Sequence, residues 1–226
     1  MQKLSTNLRS VLKSAIDFCL GIIFPEPAAR RLWSKDTGRF LVEAKRVDFA
    51  EGLVSCRSIF SYSDSAVKDL IWSLKYHGDK RAARLCAEQL WETIVEEFAE
   101  NLTFSLKERT VLVPVPLGIA RLRERGFNQV ELVVREIANI AGNDCPAIGL
   151  DILQRAKETR PQTSLSGAAR KANMRGAFKV VAPEKVEGRR IILVDDVVTT
   201  GATLFEAKKV LERAGAARVH CFALAH

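Results

Sequence analysis

A pair of adjacent carboxylates, Asp195 and Asp196, is followed within a few residues by a turn rich in hydroxyl groups. The turn contains Thr199, Thr200, Gly201, Ala202 and Thr203. Apolar residues recur at helical spacing directly after it, so the turn leads into the start of a helix. A helix start presents unpaired backbone N–H groups and the positive end of the helix dipole, to which the threonine hydroxyls add donors. The sequence therefore predicts a phosphate site at this turn.

The two carboxylates cannot bind that phosphate, because like charges repel. They suit hydroxyl groups, a bound magnesium ion or a developing positive charge. A ligand with a phosphate at one end and a polyol in the middle, such as a ribose 5-phosphate, satisfies both parts of the stretch. Two alternatives stay open. One is the acidic strand end of an NTPase, although the chain contains no G-x-x-x-x-G-K-[ST] motif. The other is a buried strand and a capped helix with an incidental acidic pair.

The spacing of these residues resembles the phosphoribosyl-pyrophosphate (PRPP) motif of type I phosphoribosyltransferases. The resemblance implies that Asp195 and Asp196 are the catalytic pair that holds the ribose 2- and 3-hydroxyls, and that the turn from Thr199 to Thr203 holds the 5-phosphate. It also implies PRPP or a nucleotide as the ligand. Mg²⁺ is the cofactor it implies, held mainly through oxygens of the ligand.

The elements that must position this stretch follow the pattern of an α/β protein. From residue 110 onwards, predicted strands alternate with helices, which is typical of a parallel sheet flanked by helices. The strands are predicted at residues 110–113, 148–155, 178–181, 190–194 and 217–224, with a helix at about 127–141. Two further helices are predicted before them, one ending at about His77 and one over residues 80–99.

Three arginines, Arg121, Arg123 and Arg125, follow the predicted strand at 110–113. They form a plausible pyrophosphate clamp, because guanidinium groups offer forked and permanently charged donors. A solvated basic turn is the alternative. The polar connection at about 155–173 is long enough to serve as a lid, and it adds Arg160 and Arg170 as candidates for the same role.

Four segments resemble the ComF family of competence-associated, phosphoribosyltransferase-like proteins. They are I-W-S-L-K-Y-H-G at 71–78, V-P-V-P at 113–116 with R-G-F-N-Q at 125–129, R-P-Q-T at 160–163, and the acidic-pair turn. The resemblance covers roughly residues 58–226, which we predict to be a phosphoribosyltransferase-like domain. It implies DNA-uptake proteins as partners.

Residues 1–57 are predicted to hold an amphipathic helix at 4–20 and an irregular segment. Many ComF proteins begin with a four-cysteine zinc ribbon, of which this chain keeps at most Cys19 and Cys56, so we expect its zinc site to be lost. The five cysteines contain no C-x-x-C pair and favour a reducing cytoplasm. No apolar run is long enough for a membrane span.

The formal net charge of +8 suits a polyanionic small molecule as well as nucleic acid. Direct nucleic-acid binding is not predicted, because no Lys/Arg-rich run has interleaved aromatic residues. The resemblance to type I phosphoribosyltransferases implies phosphoribosyl transfer to or from an unknown nitrogen acceptor, with Mg²⁺ and pyrophosphate. A non-catalytic adaptor that senses PRPP or a nucleotide in DNA uptake or repair is the alternative, and a DNA-binding module is the weakest of the three.

Overall fold

The computed structural model describes residues 47–51, 54–99, 108–157 and 174–226. The described residues all belong to one compact unit, Val42–His226. The predicted helix at 4–20 and most of the predicted lid, including Arg160 and Arg170, lie outside the described residues.

Eight strands and five helices make up this part of the chain. The strands are β1 (Val47–Glu51), β2 (Val54–Phe60), β3 (Thr110–Pro114), β4 (Ala147–Ile148), β5 (Leu153–Arg155), β6 (Phe178–Val180), β7 (Arg190–Val197) and β8 (Arg218–Ala225). The helices are α1 (Ser65–His77), α2 (Lys80–Ala99), α3 (Ile119–Arg125), α4 (Gln129–Ala141) and α5 (Ala202–Arg213).

Six strands form one sheet in the order β1-β2-β8-β7-β3-β4. Strand β1 is antiparallel to β2, and the other neighbours are parallel. Strands β5 and β6 form a separate antiparallel pair. The prediction of a parallel sheet flanked by helices is therefore confirmed. Strand β2 begins at Val54, so the boundary predicted at residue 58 falls inside a strand of the main sheet.

Strand β7 is central, because it pairs with β3 on one side and β8 on the other. Its four residues from Ile191 to Val194 are fully buried, which explains the continuous apolar run, since both faces of the strand are covered. The parallel arrangement brings the carboxyl ends of β3, β7 and β8 to one edge of the sheet. Ligands of parallel α/β sheets bind at such edges.

The helices that approach this edge have well-defined ends. Asp64 caps α1 by accepting from the Ala66 N–H at 2.8 Å, and α1 ends at Gly78, whose φ of 57° is left-handed. Asn128 caps α4 by accepting from the Val130 N–H at 3.1 Å. Asn128 also donates its amide to the Val115 carbonyl at 3.0 Å. The start of α4 is thus tied to the segment that follows β3.

The prediction of a single strand at 148–155 is wrong. This stretch contains two strands in different sheets, β4 at the edge of the main sheet and β5 in the smaller sheet. The turn between them packs tightly at Gly149. A Cβ atom at Gly149 would lie 2.4 Å from Ile152 Cδ1 and 3.0 Å from Val111 Cγ1, so a larger residue would require these side chains to shift. Glycine at this position lets the turn fold against its own next apolar residue.

Candidate functional site

The predicted phosphate turn connects β7 to α5 at the carboxyl edge of the sheet. Gly201 precedes the helix with φ of 67°, and no side chain caps the helix start. A left-handed φ of this kind is open to glycine without strain. The Val198 N–H donates to the Ala225 carbonyl at 2.9 Å and fixes the beginning of the turn to β8. The backbone N–H groups at the start of α5 therefore have no side-chain acceptor from the capping position.

One hydroxyl in this turn is buried without a partner. Thr200 Oγ1 has no hydrogen bond with any described residue, although the atom is inaccessible to solvent. Buried polar atoms in native proteins nearly always have a partner, so an exception asks for an explanation such as a ligand that completes the site. The same recess is lined by Asp195, Thr199 and Thr203. The predicted turn residues and the acidic pair are thus brought together as the sequence suggested.

The acidic pair lies inside β7, because the strand continues to Val197 instead of ending before Asp195. Asp195 Oδ1 accepts from the Asp196 N–H at 2.9 Å. Asp196 Oδ1 accepts from the Val197 N–H at 2.6 Å. Both carboxylates are therefore held by the backbone of the strand end, which limits their rotation.

Two side chains from other elements bind the second oxygen of Asp196. Gln129 Nε2, on the first residue of α4, donates to Asp196 Oδ2 at 2.6 Å. Lys75 Nζ, near the end of α1, lies 3.0 Å from the same oxygen. Asp196 is thereby the meeting point of α1, α4 and β7.

The two carboxyl groups differ in their affinity for a proton. Burial, and next the charge of Asp196, raise the pKa of Asp195 to about 7. Burial also opposes ionisation of Asp196, but the Lys75 charge and the hydrogen bonds from Lys75, Val197 and Gln129 outweigh it and lower the pKa of Asp196. The site therefore holds one carboxyl group that ionises readily, Asp196, beside one whose pKa is raised to about 7, Asp195.

A cavity of about 270 Å³ opens in front of the acidic pair, close to the lower end of the range for small-molecule sites. Cationic side chains also line it, namely Lys75, Arg121, Arg125 and Arg155, and Lys75 is in contact with Asp196. A ligand in this cavity would meet carboxylates, threonine hydroxyls and four cationic side chains.

The three candidate arginines do not act as a set. They lie on helix α3, so residues four apart share a face and the residue between them points elsewhere. Arg121 and Arg125 line the cavity, whereas Arg123 does not. Arg125 donates to Gln129 Oε1 at 3.0 Å, and its guanidinium lies 5.3 Å from the centre of the Tyr76 ring.

Among the cavity's side chains that were not predicted as site residues, the two cations and the amide are Lys75, Arg155 and Gln129. Lys75 and Gln129 both lie in segments that carry the ComF resemblance, which is the signal that could have found them. Arg155 ends β5, and no pattern in the sequence indicates that a second small sheet turns this residue towards β7.

The residues present offer little to a protein-bound metal. Among the residues that the structure describes, no three His, Cys, Asp or Glu side chains come together. Asp196 already accepts from Lys75, Gln129 and the backbone. The donors thus fit a magnesium ion that is carried by its ligand better than one held by the chain. Cys56, a candidate remnant of the zinc ribbon, is buried in β2, and Cys19 lies outside the described residues.

Comparison with known families now identifies the fold. Residues 85–226 match the family model described as "Phosphoribosyl transferase domain". The chain belongs to this family. The sheet order and the β7–α5 turn described above are therefore those of a phosphoribosyltransferase domain, and the matched residues contain the acidic pair, the threonine turn and α3.

Named relatives confirm the ComF resemblance of this phosphoribosyltransferase domain. Competence protein F of Haemophilus influenzae is 36% identical over 124 residues, which is 54% of this chain and 53% of that protein. DNA utilization protein YhgH of Salmonella typhimurium is 40% identical over 156 residues, 69% of this chain and 65% of the relative. Competence protein ComFC of Bacillus subtilis is 31% identical over 169 residues, 74% and 62% respectively. The chain thus spans between about half and two thirds of the length of these relatives.

Solved structures similar to the phosphoribosyltransferase domain include the allosteric regulatory enzyme of purine biosynthesis. It is 20% identical, with 68% of this chain and 30% of that chain covered and a TM-score of 0.39. A hypoxanthine phosphoribosyltransferase from Staphylococcus aureus is 11% identical, with 64% and 63% covered and a TM-score of 0.35. The family match and the sheet order identify the fold. None of the helices in the described ranges is long and apolar enough to cross a bilayer.

Proposed function

We propose that this chain binds PRPP and transfers its phosphoribosyl group to or from a nitrogen acceptor. The observation that carries the proposal is the buried Thr200 hydroxyl without a partner, in an uncapped helix-start turn beside the acidic pair. A phosphate in this turn would satisfy that hydroxyl and the first backbone N–H groups of α5 together. The family match supports the same ligand class.

The cavity suggests a role for each group around the bound sugar. With the 5-phosphate in the threonine turn, the ribose hydroxyls would face Asp195 and Asp196. The pyrophosphate would lie towards Arg121, Arg125 and Arg155, which line the same cavity. Arginine suits this position because its planar donors can bind two phosphate oxygens at once.

In the reaction, the bond between ribose C1 and the pyrophosphate oxygen breaks, and a bond from C1 to the acceptor nitrogen forms. The electron pair of the broken bond leaves with pyrophosphate, and the acceptor nitrogen releases a proton to a pyrophosphate oxygen or to water. Positive charge develops at the ribose ring, and the carboxylate oxygens of the acidic pair would stabilise it electrostatically. Magnesium, when carried by the ligand, would neutralise charge on the departing pyrophosphate.

Calorimetry with PRPP and Mg²⁺ tests binding, and pyrophosphate release across a panel of bases and amines tests transfer. Thr200→Val keeps the side-chain shape but removes the hydroxyl, so we expect PRPP affinity to fall by about tenfold. Thr110→Val is a matched control, because Thr110 Oγ1 is also buried without a partner among the described residues. Thr110 begins β3 at the opposite end of the sheet. The proposal fails if the wild-type protein does not bind PRPP, or if both variants bind it equally well.

A non-catalytic sensor of PRPP or a nucleotide, acting with DNA-uptake proteins, is the second candidate. It is favoured by the names of the relatives, which refer to competence and DNA utilization and not to a reaction. Binding of PRPP without pyrophosphate release under every acceptor would select this function. We place either function in the cytoplasm, since the cysteines at 56, 86, 145 and 221 are free thiols, as a reducing compartment requires.

A further inference from the structure

We infer that Lys75 is a built-in counter-ion of the acidic pair: its ammonium takes the cation position at Asp196, so that the pair can bind ligand hydroxyls without a metal ion held by the protein. The statement that Lys75 takes the cation position at Asp196 concerns the protein alone. The statement that the pair binds ligand hydroxyls rests on the proposed function.

The geometry of the contact is that of a sheltered ion pair. Lys75 Nζ lies 3.0 Å from Asp196 Oδ2, and the two side chains are only 20% and 16% exposed. Solvent screens such a pair less than it screens a surface pair. Removal of one partner from a sheltered pair leaves an uncompensated charge, which is costly. Lys75 is therefore part of the site's charge balance.

Two contacts hold the end of α1 in place. A Cβ atom at Gly78, directly after α1, would lie 3.1 Å from Phe127 Cζ, so the phenyl ring packs against the backbone there. Two residues earlier, the Tyr76 ring lies 5.3 Å from the Arg125 guanidinium. Arg125 is the last residue of α3 and Phe127 lies in the link between α3 and α4. The end of α1 that carries Lys75 is thus packed against this link.

The acceptor sites of Asp196 are nearly filled by the chain itself. A carboxylate offers about four lone-pair directions. The Val197 N–H takes one on Oδ1, while Gln129 and Lys75 take two on Oδ2. A divalent ion at Oδ2 would have to displace the ammonium, because two cations at that distance repel strongly.

The hydrogen-bond acceptor positions that remain on the acidic pair suit sugar hydroxyls. Asp196 keeps one acceptor direction, and Asp195 Oδ1 is engaged by a backbone N–H, which leaves its second oxygen for a hydroxyl. Lys75 also lines the cavity, and an ammonium has three donors. It can therefore stay beside Asp196 while it donates to an entering sugar or pyrophosphate oxygen.

The first experiment measures Mn²⁺ binding to the ligand-free protein by water-proton relaxation. We expect no Mn²⁺ at the acidic pair of the wild type. Lys75→Met should gain one bound Mn²⁺ per chain, and Asp196→Asn in that background should remove it. Lys185→Met is the matched control. Lys185 forms an exposed ion pair with Asp151, with 2.5 Å between Nζ and Oδ2, and neither residue lines the cavity. Lys75→Gln is measured in parallel, with thermal melts to verify that each variant folds.

The inference is overturned if the wild type binds Mn²⁺ in a manner that Asp196→Asn abolishes, or if folded Lys75→Met and Lys75→Gln both gain no ion. Neither result depends on any sugar ligand.

The second experiment uses ribose 5-phosphate, which lacks the pyrophosphate that carries a metal. We expect its affinity for the wild type to change by less than about twofold when Mg²⁺ is added. Lys75→Met should bind it about tenfold more weakly without Mg²⁺, a loss on the scale of one charged hydrogen bond, and should recover with Mg²⁺. If the wild type binds neither ribose 5-phosphate nor PRPP, the proposed function fails while the Mn²⁺ result still decides the counter-ion. Strict dependence of wild-type binding on Mg²⁺ would contradict the inference itself.

Discussion

Gln129 joins Arg125 to Asp196: its side-chain oxygen accepts from the arginine at 3.0 Å, and its side-chain nitrogen donates to the carboxylate at 2.6 Å. Two charged side chains that both line the cavity are thus connected through one amide. Gln129 itself is almost fully buried, so the amide cannot exchange these partners for water without moving.

The amide of Gln129 can be tested by Gln129→Leu, which keeps most of its volume. The variant loses a hydrogen bond to a charged carboxylate, a contact typically worth about 1.5–3 kcal/mol. We expect PRPP affinity to fall by about tenfold or more, with the melting temperature measured alongside. Gln89→Leu on helix α2 is the control, since it lies outside the cavity. Equal affinities for the wild type and Gln129→Leu would contradict the role of this amide.

Helix α3 predicts a sharp difference between two neighbouring arginines. Arg121 lines the cavity and Arg123 does not, although both carry the same charge. Arg121→Ala should weaken PRPP binding by about tenfold, whereas Arg123→Ala should change it by less than about twofold, because only the first loses a charged hydrogen-bond donor. Calorimetry at two salt concentrations measures both. Similar losses for the two variants would indicate a general electrostatic effect of the basic segment.

The phosphate turn depends on the backbone of Gly201. Gly201→Ala forces a Cβ into a left-handed conformation with φ of 67°, at a cost of about 1–2 kcal/mol. We expect a lower melting temperature and a loss of PRPP binding. Gly188 has the same φ of 67° and open space around the position of a Cβ, at the opposite edge of the sheet. Gly188→Ala should therefore lose similar stability but retain PRPP binding. A loss of PRPP binding in both variants would contradict a specific role of the Gly201 backbone in the phosphate turn.

Stability should depend on pH through Asp195. Its pKa is raised from 3.8 to about 7, so the folded protein keeps a proton that the unfolded chain has lost. This group therefore destabilises the folded state increasingly as pH rises from about 4 to about 7, and no further above that range. Asp195→Asn removes the titration, so we expect it to raise the melting temperature at about pH 8, with a smaller gain at about pH 5.

Asp196→Asn is the comparison variant for that experiment, and we expect it to change the melting temperature in the opposite direction. The lowered pKa of Asp196 contributes stability above the unfolded pKa, and this contribution is lost as pH falls through the folded value. The variant should therefore be less stable than the wild type at neutral pH, and the deficit should shrink in acid. Identical pH profiles for the two variants would contradict the assignment of the two carboxyl groups.

The local part of the site could be predicted from the sequence. Asp195, Asp196 and the turn through Thr203 lie within a few residues of one another, so their chemistry is visible without knowledge of the fold. Lys75 and Gln129 could not be placed in the same way. Their contacts with Asp196 depend on how the ends of α1 and α4 meet the edge of the sheet, which is a property of tertiary packing.

Three differences between the predicted and the observed secondary structure also have physical causes. Helix α3 buries none of its residues, so it lacks the apolar periodicity by which helices are recognised. The stretch 148–155 reads as one apolar strand, whereas close packing between Gly149 and Ile152 folds it into a turn. Strand β7 extends past its apolar run because Asp195 and Val197 still pair with Ala223 and Ala225 of β8.

Helix α5 begins without a side-chain cap, and this gives the protein an internal reporter of occupancy. In the ligand-free protein, the first-turn amides at Ala202 and Leu204 should exchange rapidly with deuterium. An anion bound to these amides would slow that exchange, whichever nitrogen substrate the protein uses. Isotope uptake at this one turn can therefore reveal which metabolites enter the cavity before any turnover is known.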